Sequence, residues 1–346
     1  MSGFIGTKLT MNLGERSYDI ILKNGALENL YQFARLDRRV AVVTDAGVPA
    51  EYAQRVADQC RDAKIITVPQ GEASKSMKIL ESVLRQMLEF NMGRGDLVIA
   101  VGGGVVGDLA GFAAATYMRG VQVVQVPTTL LSMVDSSVGG KTGVNLSAGK
   151  NLVGAFKQPA FVCADTEVLA TLPAREWACG CGEVAKTALI DGDEFFFWLS
   201  DQASAVVDRQ PDAVSEVIAR CVVFKADVVA QDKTESRGVR ECLNYGHTLA
   251  HAIEKLSGYG TYSHGHAVAE GMRFAARMGM RLADMPVELA QAQGQLLDDL
   301  GLPELGWEAS PAQVLDVMKR DKKARHGQVR FVCLHDVGQW RLQDVA

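Results

Sequence analysis

Residues 97–116 read LVIAVGGGVVGDLAGFAAAT. Five apolar residues of a buried-strand pattern run directly into a glycine cluster, and a helical pattern follows. A glycine turn at the start of a helix lets backbone amides approach a pyrophosphate group. The same turn can also join a strand to a helix without binding any ligand. The stretch therefore predicts a strand, a tight turn and a helix, with a dinucleotide as the candidate ligand.

Outward from this stretch, short β-branched runs alternate with helical patterns between Arg38 and about Asp165. This alternation is typical of βαβ units in a parallel sheet. In chain order, the predicted strands and helices are Val40–Thr44, Tyr52–Cys60, Ile65–Val68, Met77–Phe90, Leu97–Val101, Leu109–Tyr117 and Val121–Val126.

The alternation stops after Pro173, where only helix-period apolar patterns remain. We therefore predict an α/β, Rossmann-like parallel-sheet domain over residues 1–172 and an all-α domain over residues 173–346. No low-complexity linker separates them, so we expect a compact junction with a site between the domains. The predicted helices of the second domain are Ala174–Leu189, Pro211–Gln231, Leu243–Leu256, Ala267–Ala283 and Val287–Leu300.

Composition narrows the class of partner. The chain has 346 residues, of which 48% are hydrophobic, and a formal net charge of −5, which argues against a nucleic-acid surface. Seven cysteines, an odd number, favour reduced thiols over a disulfide framework. The first ten residues lack a signal-peptide pattern, and Asp108 interrupts the most apolar region. We expect a cytoplasmic protein with small-molecule partners, no nucleic acid and no membrane span.

Four of the six histidines, His247, His251, His264 and His266, fall within a stretch of twenty residues. His247 and His251 are four residues apart in a helical pattern, so both side chains point to one face, as paired metal ligands do. Glu183 is a candidate third ligand, because two imidazoles and a carboxylate with an open position make a catalytic zinc site. Taken alone, any one of these histidines is more typical of a core or surface residue; the cluster favours a metal site.

Several cations flank these elements in an acidic protein. Singly, each is typical of a solvated surface. Beside a candidate metal cluster, several together indicate an anionic substrate that carries phosphate and carboxylate groups. They are Lys141, Lys150 with the neighbouring Asn151, Lys186, Lys225, Arg240 and the pair Lys322 and Lys323.

Seven runs of this sequence resemble the successive signature motifs of the 3-dehydroquinate synthase family, which belongs to the sugar-phosphate cyclases. They occur in the family's order and span about residues 40–332, nearly the whole chain. The runs are GGGVVGDLAGFAAATYMRGV, VQVPTTLLSMVDSSVGGKTGVN, GKNLVGAF, TLPAREWACGCGEVAK, LNYGHTLAHAIE, HGHAVAEGM and RDKK.

The resemblance implies a lyase that uses NAD and one divalent metal ion, zinc or cobalt, and that forms a homodimer. It implies Glu183, His247 and His264 as metal ligands, and it makes His251 a substrate contact. Arg119 would reach the substrate phosphate from the partner subunit. The implied NAD contacts are Asp45, Gly71, Glu72, Lys75, Gly103, Gly104, Val105, Val106, Gly107, Asp108, Thr128, Thr129, Lys141, Lys150, Val168 and Thr171. The implied substrate contacts are Asp135, Lys141, Lys150, Asn151, Lys186, Lys225, Arg240, Asn244, His251 and a lysine of the pair Lys322 and Lys323.

Two features of this chain depart from the family pattern. His266 stands where family members more often carry glutamate, and the stretch 232–240 is one residue longer than the common form. The implied activity converts 3-deoxy-D-arabino-heptulosonate 7-phosphate to 3-dehydroquinate and phosphate, through transient oxidation, elimination, re-reduction and an intramolecular aldol step. Three alternatives stay open: a related aminocyclitol or valiolone-type cyclase, a metal-dependent dehydrogenase of the glycerol dehydrogenase kind, and a binding module without catalysis.

Overall fold

The chain divides into two compact units in the computed structural model, which describes residues 6–232, 235, 237–319 and 328–345. The first unit comprises Met1–Pro173 together with Lys225–Ala230, and the second comprises Ala174–Phe224 together with Gln231–Ala346. No helix within the described ranges is long and apolar enough to cross a bilayer. All seven cysteines are free thiols, and six of them are buried.

The first unit is built on a seven-stranded sheet in the order β1-β2-β9-β6-β5-β3-β4. All neighbouring strands are parallel except β1 and β2, which are antiparallel. The strands of the unit are β1 (Thr7–Met11), β2 (Tyr18–Leu22), β3 (Arg39–Asp45), β4 (Asp62–Val68), β5 (Leu97–Gly102), β6 (Gln122–Pro127), β7 (Lys141–Leu146), β8 (Gly149–Phe156) and β9 (Phe161–Ala164). Its α-helices are α1 (Ala50–Asp58), α2 (Met77–Glu89) and α3 (Gly104–Thr116).

Residues 97–116 form the centre of this unit. Every residue of β5 is buried, as expected for a parallel strand covered on both faces. α3 follows after the glycine turn and packs six buried residues, Leu109 and Phe112 among them, into the same core. Because β3, β5 and β6 are parallel neighbours, their carboxyl ends meet at one edge of the sheet. Ligands of open α/β sheets bind at this edge.

The hairpin of β7 and β8 is absent from the sequence-based assignment. Its two strands pair with each other outside the main sheet. The close pairing leaves no room for side chains at one crossing, since a Cβ on Gly154 would lie 2.1 Å from the carbonyl oxygen of Thr142. The hairpin carries Lys141, Lys150 and Asn151.

The second unit is helical, as predicted. Its helices are α4 (Ala174–Asp191), α5 (Asp193–Val207), α6 (Pro211–Gln231), α7 (His247–Leu256), α8 (His264–Leu282), α9 (Val287–Asp299) and α10 (Pro311–Lys319). Of α6, only Lys225–Ala230 belongs to the first unit. The description of this region as all-α needs a correction, because β10 (Val329–Asp336) and β11 (Gln339–Val345) form an antiparallel hairpin. β-branched and aromatic residues favour these strands, and Gly338, with φ of +69°, supplies the turn.

The helix predicted over Leu243–Leu256 is shorter than expected. Val239–Asn244 is a 3-10 helix, and α7 begins only at His247. Gly246 breaks the pattern because its φ of +78° lies in the left-handed region, which a continuing right-handed helix does not use. His247 consequently occupies the first turn of α7 rather than its middle.

Candidate metal and cofactor sites

Glu183, His247 and His264 come together in the second unit. One ligand atom from each lies within 4.8 Å of the others. The Oε1 atom of Glu183 is 3.4 Å from Nε2 of His247 and 3.5 Å from Nε2 of His264. The two imidazole rings have centroids 5.3 Å apart. Three side chains from three helices, α4, α7 and α8, therefore face one point.

Close helix contacts at glycines bring these three side chains together. A Cβ on Gly265 of α8 would lie 2.0 Å from the carbonyl oxygen of Cys179 in α4. A Cβ on Gly271 of α8 would lie 1.9 Å from the carbonyl oxygen of Gly246, directly before His247. Both distances are far below any real Cβ contact. The glycines thus permit the backbone approach that places His264 beside Glu183 and His247.

The donor set fits a divalent transition metal. Tetrahedral zinc with bonds of about 2.0–2.1 Å separates neighbouring ligand atoms by about 3.3 Å, close to the two distances around Glu183 Oε1. That oxygen is buried and has no hydrogen-bond partner. A buried carboxylate oxygen without a donor is costly, and a cation between it and the two imidazoles would satisfy it. Two imidazoles and one carboxylate also match the catalytic type of zinc site, which keeps a position open.

Electrostatics at this cluster favour a cation. The Oε2 atom of Glu183 accepts a very short hydrogen bond from Lys186, one turn further along α4. Burial alone would raise the pKa of Glu183, but Lys186, His247 and His264 outweigh it and hold that pKa well below its usual value. Burial lowers the pKa of His264, whereas the neighbouring carboxylates of Glu183 and Glu254 raise it to about 10 overall. The negative potential that retains a proton there also attracts a metal ion.

The other two histidines of the cluster lie beside the trio. The ring of His251 is centred 5.7 Å from that of His247, one turn along the same face of α7. His266 pairs its Nδ1 with the hydroxyl of Ser263 at 2.7 Å, and that hydroxyl also caps α8. Burial and the charge of Arg175 lower the pKa of His266. Neither residue belongs to the group of three ligand atoms.

In the first unit, several residues predicted to bind the cofactor meet at the carboxyl edge of the sheet. Asp45 ends β3, and its Oδ1 accepts a hydrogen bond from the amide of Gly47 at 2.7 Å. Burial raises the pKa of Asp45, while the amides of Gly47 and Val48 oppose the shift. Gly102, Gly104 and Gly107 have the spacing of the G-x-G-x-x-G dinucleotide fingerprint, and Gly103 is the N-cap of α3.

A network centred on Lys75 borders this edge. Lys75 is only 5% exposed. Its Nζ atom lies 2.6 Å from Oδ2 of Asp108 and 2.6 Å from Oδ1 of Asn151. Burial raises the pKa of Asp108, and Lys75 opposes that rise. Asn145 extends the network, since it donates to Glu72 Oε1 at 2.7 Å and its Oδ1 accepts from the amide of Asn151 at 2.8 Å.

Sequence reasoning missed Asn145. Its signal was its position four residues after Lys141 in the strand that leads to Lys150 and Asn151. Asn151 itself has a φ of +53°, a conformation that asparagine tolerates better than most residues. The network therefore fixes both the lysine and an unusual turn of the hairpin.

The remaining cofactor candidates occupy two places. Thr128 and Thr129 follow β6, and the amide of Thr128 donates to the carbonyl of Gly102 at 3.0 Å, beside the glycine turn. Thr171 exchanges a 2.8 Å hydrogen bond with the hydroxyl of Tyr52, which also contacts the carbonyl of Val168. Gly71, with φ of +98°, precedes the short 3-10 helix Glu72–Ser74, and Val105, Val106 and Gly107 lie in the first turn of α3.

Two predicted substrate contacts stand out by their burial and charge. Lys225 belongs to the first unit, and its Nζ atom forms an ion pair with Oδ1 of Asp135 at 2.7 Å. Arg240, in the second unit, is 5% exposed, and its Nη1 is buried without a hydrogen-bond partner. Its Nε lies 3.2 Å from Glu235 Oε1, an ion-pair contact outside hydrogen-bond geometry. A buried guanidinium with unsatisfied donors suits an anionic ligand.

Arg119 is exposed and makes no hydrogen bond or ion pair with any residue that the structure describes. It sits in a strained turn, because Met118 and Arg119 both have left-handed backbone angles, with φ of +48° and +69°. Such conformations cost about 1–3 kcal/mol each and cluster at functional positions. Of the other candidates, Lys141 starts β7, Asn244 ends the 3-10 helix before α7, and Lys322 and Lys323 lie outside the described residues.

The chain is similar to several known proteins over nearly its full length. Residues 65–179 match the family model of the 3-dehydroquinate synthase N-terminal domain, and residues 180–324 match that of the C-terminal domain. A 3-dehydroquinate synthase of Rhodopirellula baltica is 46% identical over 344 residues, covering 95% of this chain and 92% of that protein.

Solved structures give the same fold. A crystal structure of 2-deoxy-scyllo-inosose synthase complexed with carbaglucose-6-phosphate, NAD+ and Co2+ has a TM-score of 0.90 at 27% identity, covering 98% of this chain and 96% of that one. The 2-epi-5-epi-valiolone synthase of Streptomyces hygroscopicus subsp. jinggangensis, with NAD+ and Zn2+ bound, has a TM-score of 0.87 at 25% identity and covers 100% of this chain and 95% of that one.

Proposed function

Because the chain belongs to the 3-dehydroquinate synthase family, we propose that residues 1–172 hold NAD and that residues 173–346 hold the metal ion and substrate groups. The activity is that of the family: 3-deoxy-D-arabino-heptulosonate 7-phosphate is converted to 3-dehydroquinate and phosphate in a cyclising elimination. The observation that carries the proposal is the buried, unpartnered Oε1 of Glu183 facing the Nε2 atoms of His247 and His264. The cofactors are NAD and one divalent ion, zinc or cobalt.

The metal ligands are Glu183, His247 and His264. A metal ion held there would polarise a substrate oxygen, and bound NAD would accept a hydride from the substrate and, as NADH, return it. Lys186 stabilises the Glu183 carboxylate and brings a second positive charge to the same place. His247 is held by a 3.1 Å hydrogen bond between its Nδ1 and the Tyr245 carbonyl, so that Nε2 is the nitrogen that faces the other ligands.

The NAD-binding residues surround the carboxyl edge of the sheet. The backbone amides of the glycine turn before α3 donate hydrogen bonds to the pyrophosphate. At the end of β3, the carboxylate of Asp45 accepts hydrogen bonds from the ribose hydroxyls. Glu72, Lys75 and Asp108 contact the remaining polar groups of the dinucleotide. Two contacts support this placement: the Lys75–Asp108 ion pair at 2.6 Å and the backbone hydrogen bond from the Thr128 amide to the Gly102 carbonyl. Both hold this edge of the sheet in place within the chain itself.

The residues that contact the substrate bind its charged and hydroxyl groups and fix their positions. Arg240 directs its unsatisfied donors at an anionic oxygen, while Asn244 and His251 exchange hydrogen bonds with substrate hydroxyls. Lys225 is oriented by Asp135. Fixed cations around the departing phosphate stabilise the charge that develops on it, which lowers the barrier to elimination.

The chain acts as a cytoplasmic homodimer, in which Arg119 reaches the substrate phosphate bound by the partner subunit. The support is the exposed guanidinium of Arg119 on a turn whose residues Met118 and Arg119 both have left-handed backbone angles. A guanidinium stays charged at any working pH and can bind a phosphate through two parallel hydrogen bonds.

The alternatives receive less support. The aminocyclitol and valiolone-type cyclases share the fold at 27% and 25% identity, well below the 46% shared with a 3-dehydroquinate synthase. A simple alcohol dehydrogenase would not need the buried Arg240 with its unsatisfied donors. A binding module without catalysis would not need a metal-ligand set with an open position.

An assay of two products tests the proposal. Purified, zinc-loaded protein is incubated with the heptulosonate phosphate and less than one equivalent of NAD per substrate. Phosphate and 3-dehydroquinate should appear in equal amounts over many turnovers, with no lasting NADH absorbance. A different cyclic product, or NADH that accumulates with simple alcohols, would favour one of the alternatives.

Replacing Gly104 with valine is expected to weaken NAD binding without unfolding the chain. A Cβ at this position would already lie 3.0 Å from the Ser136 hydroxyl, and the larger side chain would fill space that backbone and pyrophosphate must share. Overpacking of about 1–3 kcal/mol corresponds to roughly a 5- to 150-fold loss of affinity, measured by calorimetry. Gly95→Ala is the matched control, because a Cβ there meets nothing within 4 Å. Unchanged affinity in Gly104→Val would remove the turn from the NAD site.

A further inference from the structure

Glu254 is a buried carboxylate that the site described above does not use. It lies in α7 with only 8% exposure. His247, His251 and Glu254 are spaced i, i+4 and i+7, so all three share one face of the helix. A buried carboxylate is costly unless a positive or hydrogen-bonding partner compensates it. Its neighbours therefore indicate what it does.

One of those neighbours is His264. The Nδ1 atom of His264 faces Oε2 of Glu254 at 3.5 Å, while the Nε2 atom of the same ring faces Oε1 of Glu183 at 3.5 Å. The imidazole thus stands between two carboxylates, with one nitrogen toward each. Only the Glu183 side has the other metal-ligand atoms.

The three histidines at this place differ in what holds their Nδ1 atoms. That of His247 contacts a backbone carbonyl, that of Tyr245, at 3.1 Å. That of His266 contacts the hydroxyl of Ser263 at 2.7 Å. The Nδ1 atom of His264, in contrast, faces a carboxylate oxygen, that of Glu254. A carboxylate fixes the Nδ1–H tautomer, presents the Nε2 lone pair to the metal and makes that nitrogen a better donor.

We propose that Glu254 is a positioning residue for the metal ion, which accepts the Nδ1–H of His264 and so orients Nε2 for ligation. The inference rests on the proposed metal site and goes beyond it, because it assigns a role to a carboxylate that binds neither metal nor substrate. His264 begins α8.

The test compares zinc affinities of the full-length chain and its variants by competition with a chromophoric chelator. Glu254→Gln keeps size and an acceptor oxygen but removes the charge, and Glu254→Ala removes the contact. Loss of an outer carboxylate of this kind costs roughly 10- to 100-fold in metal affinity, so we expect the larger value for alanine and the smaller for glutamine. The visible absorption of the Co2+-loaded protein should also shift in both variants, since the ring that binds the ion is reoriented.

Glu270→Gln is the matched control. Glu270 is a partly buried carboxylate on α8, but it serves Arg277 and the amide of Leu305 instead of a histidine. This variant should keep the parent's zinc affinity and Co2+ spectrum. If Glu254→Gln and Glu254→Ala change only the unfolding temperature and leave both metal readouts at the parent's values, Glu254 is merely structural and the inference is wrong. If alanine prevents folding, the glutamine variant alone decides. A parent chain that binds no zinc would instead overturn the proposed metal site itself.

Discussion

Replacing His264 with asparagine is expected to abolish stoichiometric zinc binding and to lower kcat by about 10³-fold or more. The ring supplies one of three ligand atoms, and its Nε2 lies 3.5 Å from the unpartnered oxygen of Glu183. A metal ion contributes several kcal/mol of charge stabilisation at the transition state, and about 4 kcal/mol corresponds to three orders of magnitude. Bound zinc is measured by elemental analysis and kcat by phosphate release.

His266→Asn is the control for this prediction, because it changes a histidine two residues away on the same helix. The 2.7 Å contact to Ser263 would be lost, but the trio of ligand atoms would remain. We expect stoichiometric zinc and a kcat close to that of the parent. If His266→Asn lost the metal while His264→Asn retained it, the ligand assignment would be reversed.

Arg119→Ala and Arg240→Met chains should each be nearly inactive alone and should regain activity when mixed. A charge-assisted hydrogen bond contributes about 1.5–3 kcal/mol, so each parent should lose roughly 10- to 150-fold of its activity. The fold should tolerate both changes, because Arg119 is exposed and the partner of Arg240, Glu235, is itself 41% exposed. If Arg119 acts in the partner subunit, a mixed dimer contains one site with neither defect.

Subunits are mixed under mild dissociating conditions, and phosphate release is compared with that of each parent. With random exchange in a twofold dimer, about a quarter of all sites should be intact. Mixing the parents with wild-type chains at the same ratio calibrates the exchange. Mixed dimers that stay as inactive as both parents would show that Arg119 does not act across the interface, and the shared site would be lost while the enzyme class survived.

The parallel-sheet unit could be predicted from sequence because burial leaves a direct signal there. β5 is covered on both faces, so Leu97–Val101 is continuously apolar, and the glycine turn marks where the strand ends. The bounds predicted for the helix Pro211–Gln231 agree with the structure, because apolar residues recur at helical spacing along most of it. The β10–β11 hairpin was missed, although its alternating residues and Gly338 turn were present, because the surrounding pattern was helical.

The periodicity of the sequence could not predict which residues, distant along the chain, come together at the site. Glu183 and His264 meet because Gly182 and Gly265 let two helix backbones touch, and no local pattern predicts which helices cross. Spacing alone paired His247 with His251, whereas the structure groups His247 with His264. The sequence shows that Glu254 lies seven residues after His247, on the same helix face. Its contact with His264 became known only from the structure.

The fate of one substrate hydrogen shows whether NAD oxidises the substrate only transiently. The substrate is prepared with deuterium on carbon five, the carbon that NAD oxidises transiently, and is turned over by the zinc-loaded protein with less than one equivalent of NAD. Because the hydride is taken up and returned within one catalytic cycle, the 3-dehydroquinate should retain deuterium at that carbon while phosphate is released in equal amount. Mass spectrometry and proton NMR of the product measure this. Deuterium that accumulates in the nicotinamide or disappears into solvent would contradict the account.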